Sequence, residues 1–222
     1  MDCTQLALYT PPIHQEMLIS TMEYHFENLS RPLIKISQCL EPGSGVGGAQ
    51  WNAGLVLARY LSKEIQIKTG KSIELGCGLG LISIVLSIMG FQVTATDGNY
   101  ALLNWTRRNF EANLNDSDRW SIEHLIWGEN EHIREKSLEE WDLIVGADVL
   151  YGEYASMIAF INTLISLSRS ETKIYVAQQI RYPDSEEIFL NELKKSFEIE
   201  IIKNEEFPNI VIYKLAKINI PA

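Results

Sequence analysis

Two patterns of apolar and polar residues alternate along the chain from residue 70 onward. Short apolar runs of strand length recur at five places, and stretches with apolar residues at helical spacing lie between them. This alternation is typical of a mostly parallel sheet that is covered by helices on both faces. The five predicted strands span residues 72–75, 92–96, 121–127, 142–147 and 173–178.

The end of the chain carries a hairpin signal. After a helix predicted over residues 185–196, strand-like runs at 197–203 and 210–216 flank a short loop that contains Pro208 and Asn209. Five alternating strands and a hairpin predict an α/β fold, a Rossmann-like sheet of seven strands whose last strand is antiparallel. Two short extended segments over 24–40 and a helix over 51–61 precede this sheet.

A glycine-rich run lies between the first predicted strand and the helix after it. Residues 74–80 read Glu-Leu-Gly-Cys-Gly-Leu-Gly, and Asp97 ends the second strand about 20 residues later. Such glycines let the backbone approach a ligand, while the acidic residue hydrogen-bonds a ribose hydroxyl. Leu81 stands where a dinucleotide-binding loop would have its third glycine, and the Lys-Ser/Thr of a phosphate-binding loop is missing. The run resembles the S-adenosylmethionine loop of seven-strand methyltransferases.

The alternative is that residues 74–80 form only a glycine-rich turn between a strand and a helix. A second run, Gly-Ser-Gly-Val-Gly-Gly at 43–48, matches the dinucleotide pattern literally but follows no convincing buried strand. We interpret this second run as a flexible loop without a ligand.

Length and charge narrow the classes of function. The 222 residues suit one domain, with 1–69 as an N-terminal extension of β segments and a helix and 70–216 as the cofactor-binding core. The net charge of -10 repels a phosphate backbone, so no nucleic-acid partner is expected. An acidic surface fits a partner that presents lysine, although a merely solvated acidic surface is the simpler alternative.

The cysteines predict neither a metal site nor a disulfide framework. The three are widely spaced, odd in number and form no C-x-x-C pair. No basic segment precedes an apolar stretch at the N-terminus, and the longest apolar run is too short for a bilayer. We therefore expect a soluble protein of the cytoplasm, with the nucleus as a further compartment, no membrane contact and a monomeric state.

Further polar and aromatic residues fall at the predicted strand ends, where ligands bind in open α/β sheets. Trp127 and Gly128 close the third strand, where the indole would cover one face of an adenine, or else pack in the core. Asp148 and Tyr151 follow the fourth strand in the pattern Asp-x-x-Tyr. A carboxylate and a phenol together suit a lysine ammonium.

A lysine that accepts a methyl group from S-adenosylmethionine must lose its proton before it attacks the methyl carbon, because only the neutral amine has a free lone pair. A nearby carboxylate favours the charged amine, so we interpret Asp148 as an anchor and orienter rather than a strong base. The alternative is that Asp148 caps a helix beginning near Gly152 while Tyr151 packs.

Several motifs together resemble methyltransferase family 16, the eukaryotic seven-strand protein lysine N-methyltransferases of the methyltransferase-like 21 type. The resemblance covers about residues 24–216. It implies that one group of residues surrounds S-adenosylmethionine and that Asp148 and Tyr151 face the target lysine. The implied cofactor group is Trp51, Glu74, Gly76, Gly78, Gly80, Asp97, Trp127 and Ala147.

This resemblance implies a protein lysine N-methyltransferase for a specific non-histone protein, such as a chaperone or a translation elongation factor. The stretch 180–184 resembles the chaperone-modifying group, and its surroundings also resemble elongation-factor enzymes. A methyltransferase for a small amine, a nucleic acid or a protein arginine is one alternative. A cofactor-fold protein that binds without catalysis is another.

Overall fold

The computed structural model describes residues 21–39, 45–65, 69–150 and 153–218. Nine strands and six α-helices follow one another along these ranges. The strands are β1 Thr21–His25, β2 Leu33–Ser37, β3 Lys71–Leu75, β4 Gln92–Asp97, β5 Trp120–His124, β6 Leu143–Ala147, β7 Lys173–Gln179, β8 Phe197–Lys203 and β9 Ile210–Lys217. The helices are α1 Asn52–Glu64, α2 Leu81–Met89, α3 Tyr100–Asn113, α4 Asn130–Lys136, α5 Tyr154–Leu167 and α6 Pro183–Leu193.

Seven strands form one sheet in the order β5-β4-β3-β6-β7-β9-β8. The first five pair in parallel, and β9 runs antiparallel to both β7 and β8. The predicted seven-strand α/β sheet with an antiparallel C-terminal hairpin is therefore confirmed. The chain moves outward in one direction from β3 and in the other from β6. Ligands of open α/β sheets bind at such a reversal point, outside the carboxyl ends of the strands.

Two hydrophobic cores lie on opposite faces of the sheet. In β6, Leu143 and Val145 pack into one core, while Ile144 packs into the other. All three side chains are buried, because a parallel central strand is covered by helices on both faces. The first core also holds apolar residues of α1 and α2, and the second holds those of α5 and α6. Helices packed on both faces of the sheet therefore hold the carboxyl ends of its strands in fixed positions.

Some predicted boundaries are wrong for local reasons. The strand predicted over 121–127 ends at His124, and Trp127 follows in a turn that Gly128 completes with a φ of 82°. The apolar residues 125–127 resemble a strand in sequence, but Ile126 is exposed. Helix α2 begins at Leu81 because Gly80, in the left-handed conformation, is its N-cap.

The N-terminal hairpin of β1 and β2 is anchored to α3 by two asparagines. Asn113 and Asn109 lie one turn apart, and each side-chain oxygen accepts from a backbone N–H of β2, at Lys35 and Ser37 respectively. Each side-chain NH₂ donates to the carbonyl of the same residue. The two side chains thus satisfy the free edge of β2 much as a neighbouring strand would.

Among the described residues, none of the helices is both long and apolar enough to cross a membrane.

Candidate functional site

One cavity opens where the carboxyl ends of β3, β4 and β6 meet. Its walls come from several regions of the chain: the segment before α1 and the first turn of that helix, the glycine loop after β3 and the start of α2, the ends of β4 and β6, the turn after β5, and Arg181 after β7. It brings together most residues predicted from the sequence. Those that line it are Trp51, Glu74, Gly76, Gly78, Asp97, Trp127, Ala147 and Asp148.

Two predicted residues stand apart from this group. Gly80 is the last residue of the loop and faces α3, where an added Cβ would lie 2.5 Å from the ring of Phe110. Its role is therefore to allow close packing of the loop against α3. Tyr151 lies outside the described residues, so its placement near the target lysine stays a prediction.

Hydrogen bonds that join the backbone of the glycine loop to β4 and α3 hold the loop in place. The N–H groups of Gly76 and Cys77 donate to the carbonyl of Thr96, at 2.9 and 2.8 Å, and Thr106 Oγ1 donates to the carbonyl of Gly78 at 2.6 Å. Gly76 and Gly78 adopt φ values of 78° and 51°. Such values favour glycine, because a side chain would clash with the backbone there. The loop is thus a fixed wall of the cavity.

Asp97 ends β4 with its carboxylate directed at the loop. Oδ2 accepts from the N–H of Gly78 at 2.9 Å, and Oδ1 accepts from the N–H of Asn99 at 2.8 Å. Burial raises the pKa of Asp97, and these two backbone hydrogen bonds oppose that rise. A carboxylate has about four acceptor positions, so the two bonds leave capacity for ligand hydroxyls.

Trp127 separates this cavity from a second one beside it. Gly76, Asp97, Trp127 and Val149 line both, and the second cavity is otherwise lined by residues 98–99, 125–126, 155–156 and 159. Trp127 also packs edge to face on Phe160, with 5.0 Å between ring centroids. The half-buried indole therefore belongs to the core and to the wall of a ligand site at once.

Glu74 lies at the buried end of the cavity and is only 2% exposed. Its Oε2 accepts from the backbone N–H of Ser83 at 3.0 Å and from the Ser83 hydroxyl at 2.5 Å. Burial raises the pKa of Glu74 to about 8, although both Ser83 hydrogen bonds favour the ionised form. The carboxyl group consequently holds its proton near neutral pH.

Asp148 follows β6 in a left-handed conformation, with a φ of 56°. Its carboxylate accepts from both terminal nitrogens of Arg181, at 2.6 Å each, and from Gln178 Nε2 at 3.1 Å. The N-cap of α5 is Glu153. Asp148 therefore pairs directly with a guanidinium and does not cap α5, so the prediction that Asp148 could be a helix cap is wrong.

Arg181 was not among the residues predicted for the site. It follows the carboxyl end of β7, lines the cavity, and stacks over Trp51 with 5.2 Å from its guanidinium carbon to the ring centroid. Trp51 in turn donates from its indole nitrogen to the carbonyl of Val46. Ligands of open α/β sheets bind at the carboxyl ends of the strands, and this criterion, which was applied to the other strands, would also have indicated Arg181.

The second glycine run is also part of the cavity wall. Gly45–Gly48 forms a short 3₁₀ helix, and Val46 and Gly47 line the cavity. A Cβ at Gly78 would lie 3.1 Å from the carbonyl oxygen of Gly47, so the two glycine runs pack against each other. The interpretation of this run from the sequence, as a flexible loop without a ligand, did not anticipate that its described residues form part of the cavity wall.

The residues present fit an adenosyl group. A Cβ at Gly76 would lie 3.0 Å from the indole of Trp127, so glycine keeps the gap between loop and ring open. Three features meet at this gap: the ring face of Trp127, the apolar lining of the second cavity, and the Asp97 carboxylate, which has acceptor positions left for hydroxyl groups.

Comparison with known proteins gives the same family from sequence and the same fold from structure. The lysine methyltransferase family model matches residues 29–196. The protein N-lysine methyltransferase METTL21A of Mus musculus is 34% identical over 178 residues, 79% of each chain. The EEF1A lysine methyltransferase 3 of Xenopus tropicalis is 30% identical over 199 residues, 89% of this chain and 86% of that protein.

Among solved structures, magnesium protoporphyrin IX methyltransferase from Synechocystis PCC 6803, with bound S-adenosylmethionine, superposes with a TM-score of 0.55. It is 15% identical, and the match covers 75% of this chain and 78% of that one. At that identity the likeness shows the fold alone. The family match spans more than half of the chain, and the relatives agree with it over most of their length. The chain therefore belongs to the lysine methyltransferase family.

Proposed function

We propose that this chain transfers a methyl group from S-adenosylmethionine to a lysine side chain of a specific non-histone protein. One observation carries the proposal: the glycine loop, Asp97, Trp127 and Asp148 converge on a single cavity at the reversal point of the sheet. The family match and the protein lysine methyltransferases among the relatives support the reaction class.

The cofactor half of the cavity follows from the residues already described. When bound, S-adenosylmethionine supplies a methyl group on a sulfonium, which is a leaving group for in-line displacement. Gly76 and Gly78 keep the wall open, Asp97 would accept hydrogen bonds from ribose hydroxyls, and Trp127 would cover one face of the adenine. The protein contributes position and electrostatics rather than covalent chemistry.

The acceptor half lies around Asp148. Both of its carboxylate oxygens are engaged by Arg181, so the group orients the acceptor side rather than serving as a free base. Tyr151, three residues further on, is proposed to face the same lysine because the Asp-x-x-Tyr motif matches the family pattern. The substrate lysine would reach the cofactor from this side of the cavity.

The protein substrate is proposed to be a chaperone or a translation elongation factor. One relative is an EEF1A lysine methyltransferase, which supports the second class. The net charge of -10 favours a partner that presents basic residues. We propose that the enzyme acts as a monomer in the cytoplasm, with the nucleus as a further compartment.

The test uses the purified protein, tritiated S-adenosylmethionine and an extract of its own cells in which the gene has been disrupted. Wild type is compared with Asp148→Asn, because asparagine tolerates the left-handed backbone at this position. Asp116→Asn, at an exposed site on the loop after α3, is the matched control. A discrete labelled protein band is expected with wild type and the control, and a much weaker band is expected with Asp148→Asn.

Other outcomes identify the alternatives. Label that is removed by nuclease, or that stays in the small-molecule fraction, would contradict the protein-lysine proposal. Label on arginine, found by mass spectrometry of the band, would change the acceptor. Tight cofactor binding with no transfer into any fraction would indicate a binding protein without catalysis.

A further inference from the structure

We propose that Arg181 is a positioning residue for methyl transfer: through Asp148 it makes the acceptor side of the cavity electrically neutral, so that a lysine is held there as the uncharged amine. The inference rests on the proposed function and adds a role that the sequence did not suggest. It follows from the geometry of the ion pair and from the charges that line the cavity.

The ion pair is bidentate and shielded from solvent. Arg181 donates from one terminal nitrogen to each oxygen of Asp148, both at 2.6 Å, and the side chains are 12% and 6% exposed. Gln178 and the carbonyl and side-chain oxygens of Gln179 hold the same two groups. The ring of Trp51 lies over the guanidinium. Contacts from β7 and from the start of α1 therefore fix the orientation of both partners.

The charge balance of the cavity depends on this guanidinium. Among the described residues that line the cavity, Arg181 is the only cation, whereas Glu74 of β3, Asp97 of β4 and Asp148 carry carboxyl groups and Cys77 carries a thiol. Without Arg181, the carboxylate of Asp148 would be unpaired beside the acceptor. An opposite charge within about 4–6 Å raises the pKa of an amine by about one to three units.

The rise in the pKa of the lysine amine decides what fraction of the substrate lysine is in the reactive, uncharged form. The amine lone pair forms the new N–C bond while the C–S bond breaks and its electron pair returns to sulfur. The methylated nitrogen then carries a positive charge and releases a proton to solvent. An ammonium has no lone pair to begin this step, so a bare carboxylate would hold the lysine in its unreactive form. The paired carboxylate can orient the acceptor without that penalty.

The experiment measures initial rates of label transfer into the proteins of the gene-disrupted extract, from roughly pH 6 to pH 10. Arg181→Met removes the cation and keeps an unbranched side chain of similar reach. The double variant Asp148→Asn with Arg181→Met removes both charges. Arg59→Met, which breaks an exposed ion pair between Arg59 of α1 and Glu206 of the loop between β8 and β9, is the matched control.

The proposal expects the rate profile of Arg181→Met to move to higher pH by about one unit or more, with a loss of about tenfold or more at neutral pH that shrinks in alkali. The double variant is expected to label more slowly than wild type, but with the pH position of its profile returned towards that of wild type, and Arg59→Met is expected to leave the profile unchanged. Arg181→Lys keeps the charge, so its profile is expected to stay at the wild-type pH even if the rate falls.

Superposed profiles of wild type and Arg181→Met would overturn the proposal, and so would a shift that the double variant retains. A merely structural role would lower the rate equally at every pH. If wild type labels no protein at all, the proposed function fails instead. The ion pair is then tested by melting temperature. If the unpaired carboxylate of Asp148 destabilises Arg181→Met, the double variant, which lacks that carboxylate, should melt at a higher temperature than Arg181→Met. Equal melting temperatures would overturn the coupling, and Arg181→Gln replaces Arg181→Met should the latter fail to fold.

Discussion

The carboxylate of Asp97 accepts a hydrogen bond from the backbone N–H of Gly78, with 2.9 Å between Oδ2 and the nitrogen. This bond ties the end of β4 to the glycine loop that follows the neighbouring strand β3. Asp97 thus shapes the loop in addition to offering acceptor positions to a ribose. Asp97→Ala is expected to weaken S-adenosylmethionine binding by about tenfold to a hundredfold, because hydrogen bonds to a charged group are lost.

Isothermal titration calorimetry measures this affinity directly. Asp116→Ala, at an exposed position outside the two cavities, is the control and should bind like wild type. The variant is expected to remain folded, since Asp97 lies at the surface of the site rather than in a core cluster. An unchanged dissociation constant for Asp97→Ala would contradict the assignment.

Glu74 gives the folded protein a pH-dependent stability. Burial raises the pKa of this carboxyl from 4.5 to about 8. Below about pH 4.5 the group is protonated in both the folded and the unfolded chain, so it imposes no penalty. Between pH 4.5 and 8 the unfolded chain releases the proton first, and the free energy of unfolding falls as pH rises.

Glu74→Gln removes this dependence because glutamine keeps an acceptor oxygen for Ser83 but cannot ionise. Urea unfolding at several pH values should show wild type losing up to about 1.4 kcal/mol per pH unit relative to the variant. The exposed substitution Glu27→Gln is the control. Parallel stability curves for wild type and Glu74→Gln would show that the carboxyl is ionised throughout.

The residues at the strand ends could be assigned to one site because the geometry of a parallel sheet places them together. Parallel strands bring their carboxyl ends to one edge of the sheet, so Asp97 and Asp148 could be assigned to one site from the order of apolar runs alone. The same periodicity predicted the sheet and its C-terminal hairpin. Burial of β6 on both faces leaves a continuous apolar run that sequence makes visible.

The Asp148–Arg181 ion pair could not be read in the same way. It depends on β7 lying directly beside β6 and on the direction of a long side chain, and neither is encoded in local periodicity. Gly47 was missed because no strand precedes its glycine run, and its place in the cavity wall comes from packing directly against Gly78. Trp127 lines the cavity, but the strand before it was predicted to be too long because apolar residues continue into the turn.

Asn109 is expected to be important for stability, although it lies outside the cavity. Its side chain makes three hydrogen bonds: it accepts from the N–H of Ser37 and donates to the carbonyls of Ser37 and Leu79. It therefore joins the N-terminal hairpin, α3 and the glycine loop at one buried point. Asn109→Ala would leave buried backbone groups unpaired and should lower the free energy of unfolding by about 3 kcal/mol.

Chemical denaturation checks this value against Asn104→Ala, an exposed asparagine on the same helix. That control should change stability by no more than about 0.5 kcal/mol. A similar small effect for Asn109→Ala would mean that the hairpin is held by its apolar residues alone.

Gly80→Ala is expected to disrupt the glycine loop through sterics rather than through lost ligand contacts. The added Cβ would lie 2.5 Å from the Phe110 ring and 3.0 Å from the Thr106 methyl, at a φ of 86° that side chains rarely adopt. Gly98→Ala is the matched control, because its Cβ would meet nothing nearer than 3.6 Å. Thermal unfolding should therefore show Gly80→Ala melting well below wild type and Gly98→Ala near it. Because overpacking costs about 1–3 kcal/mol and the strained backbone adds to this, equal melting temperatures for the two variants would mean that α3 moves aside to admit the methyl group.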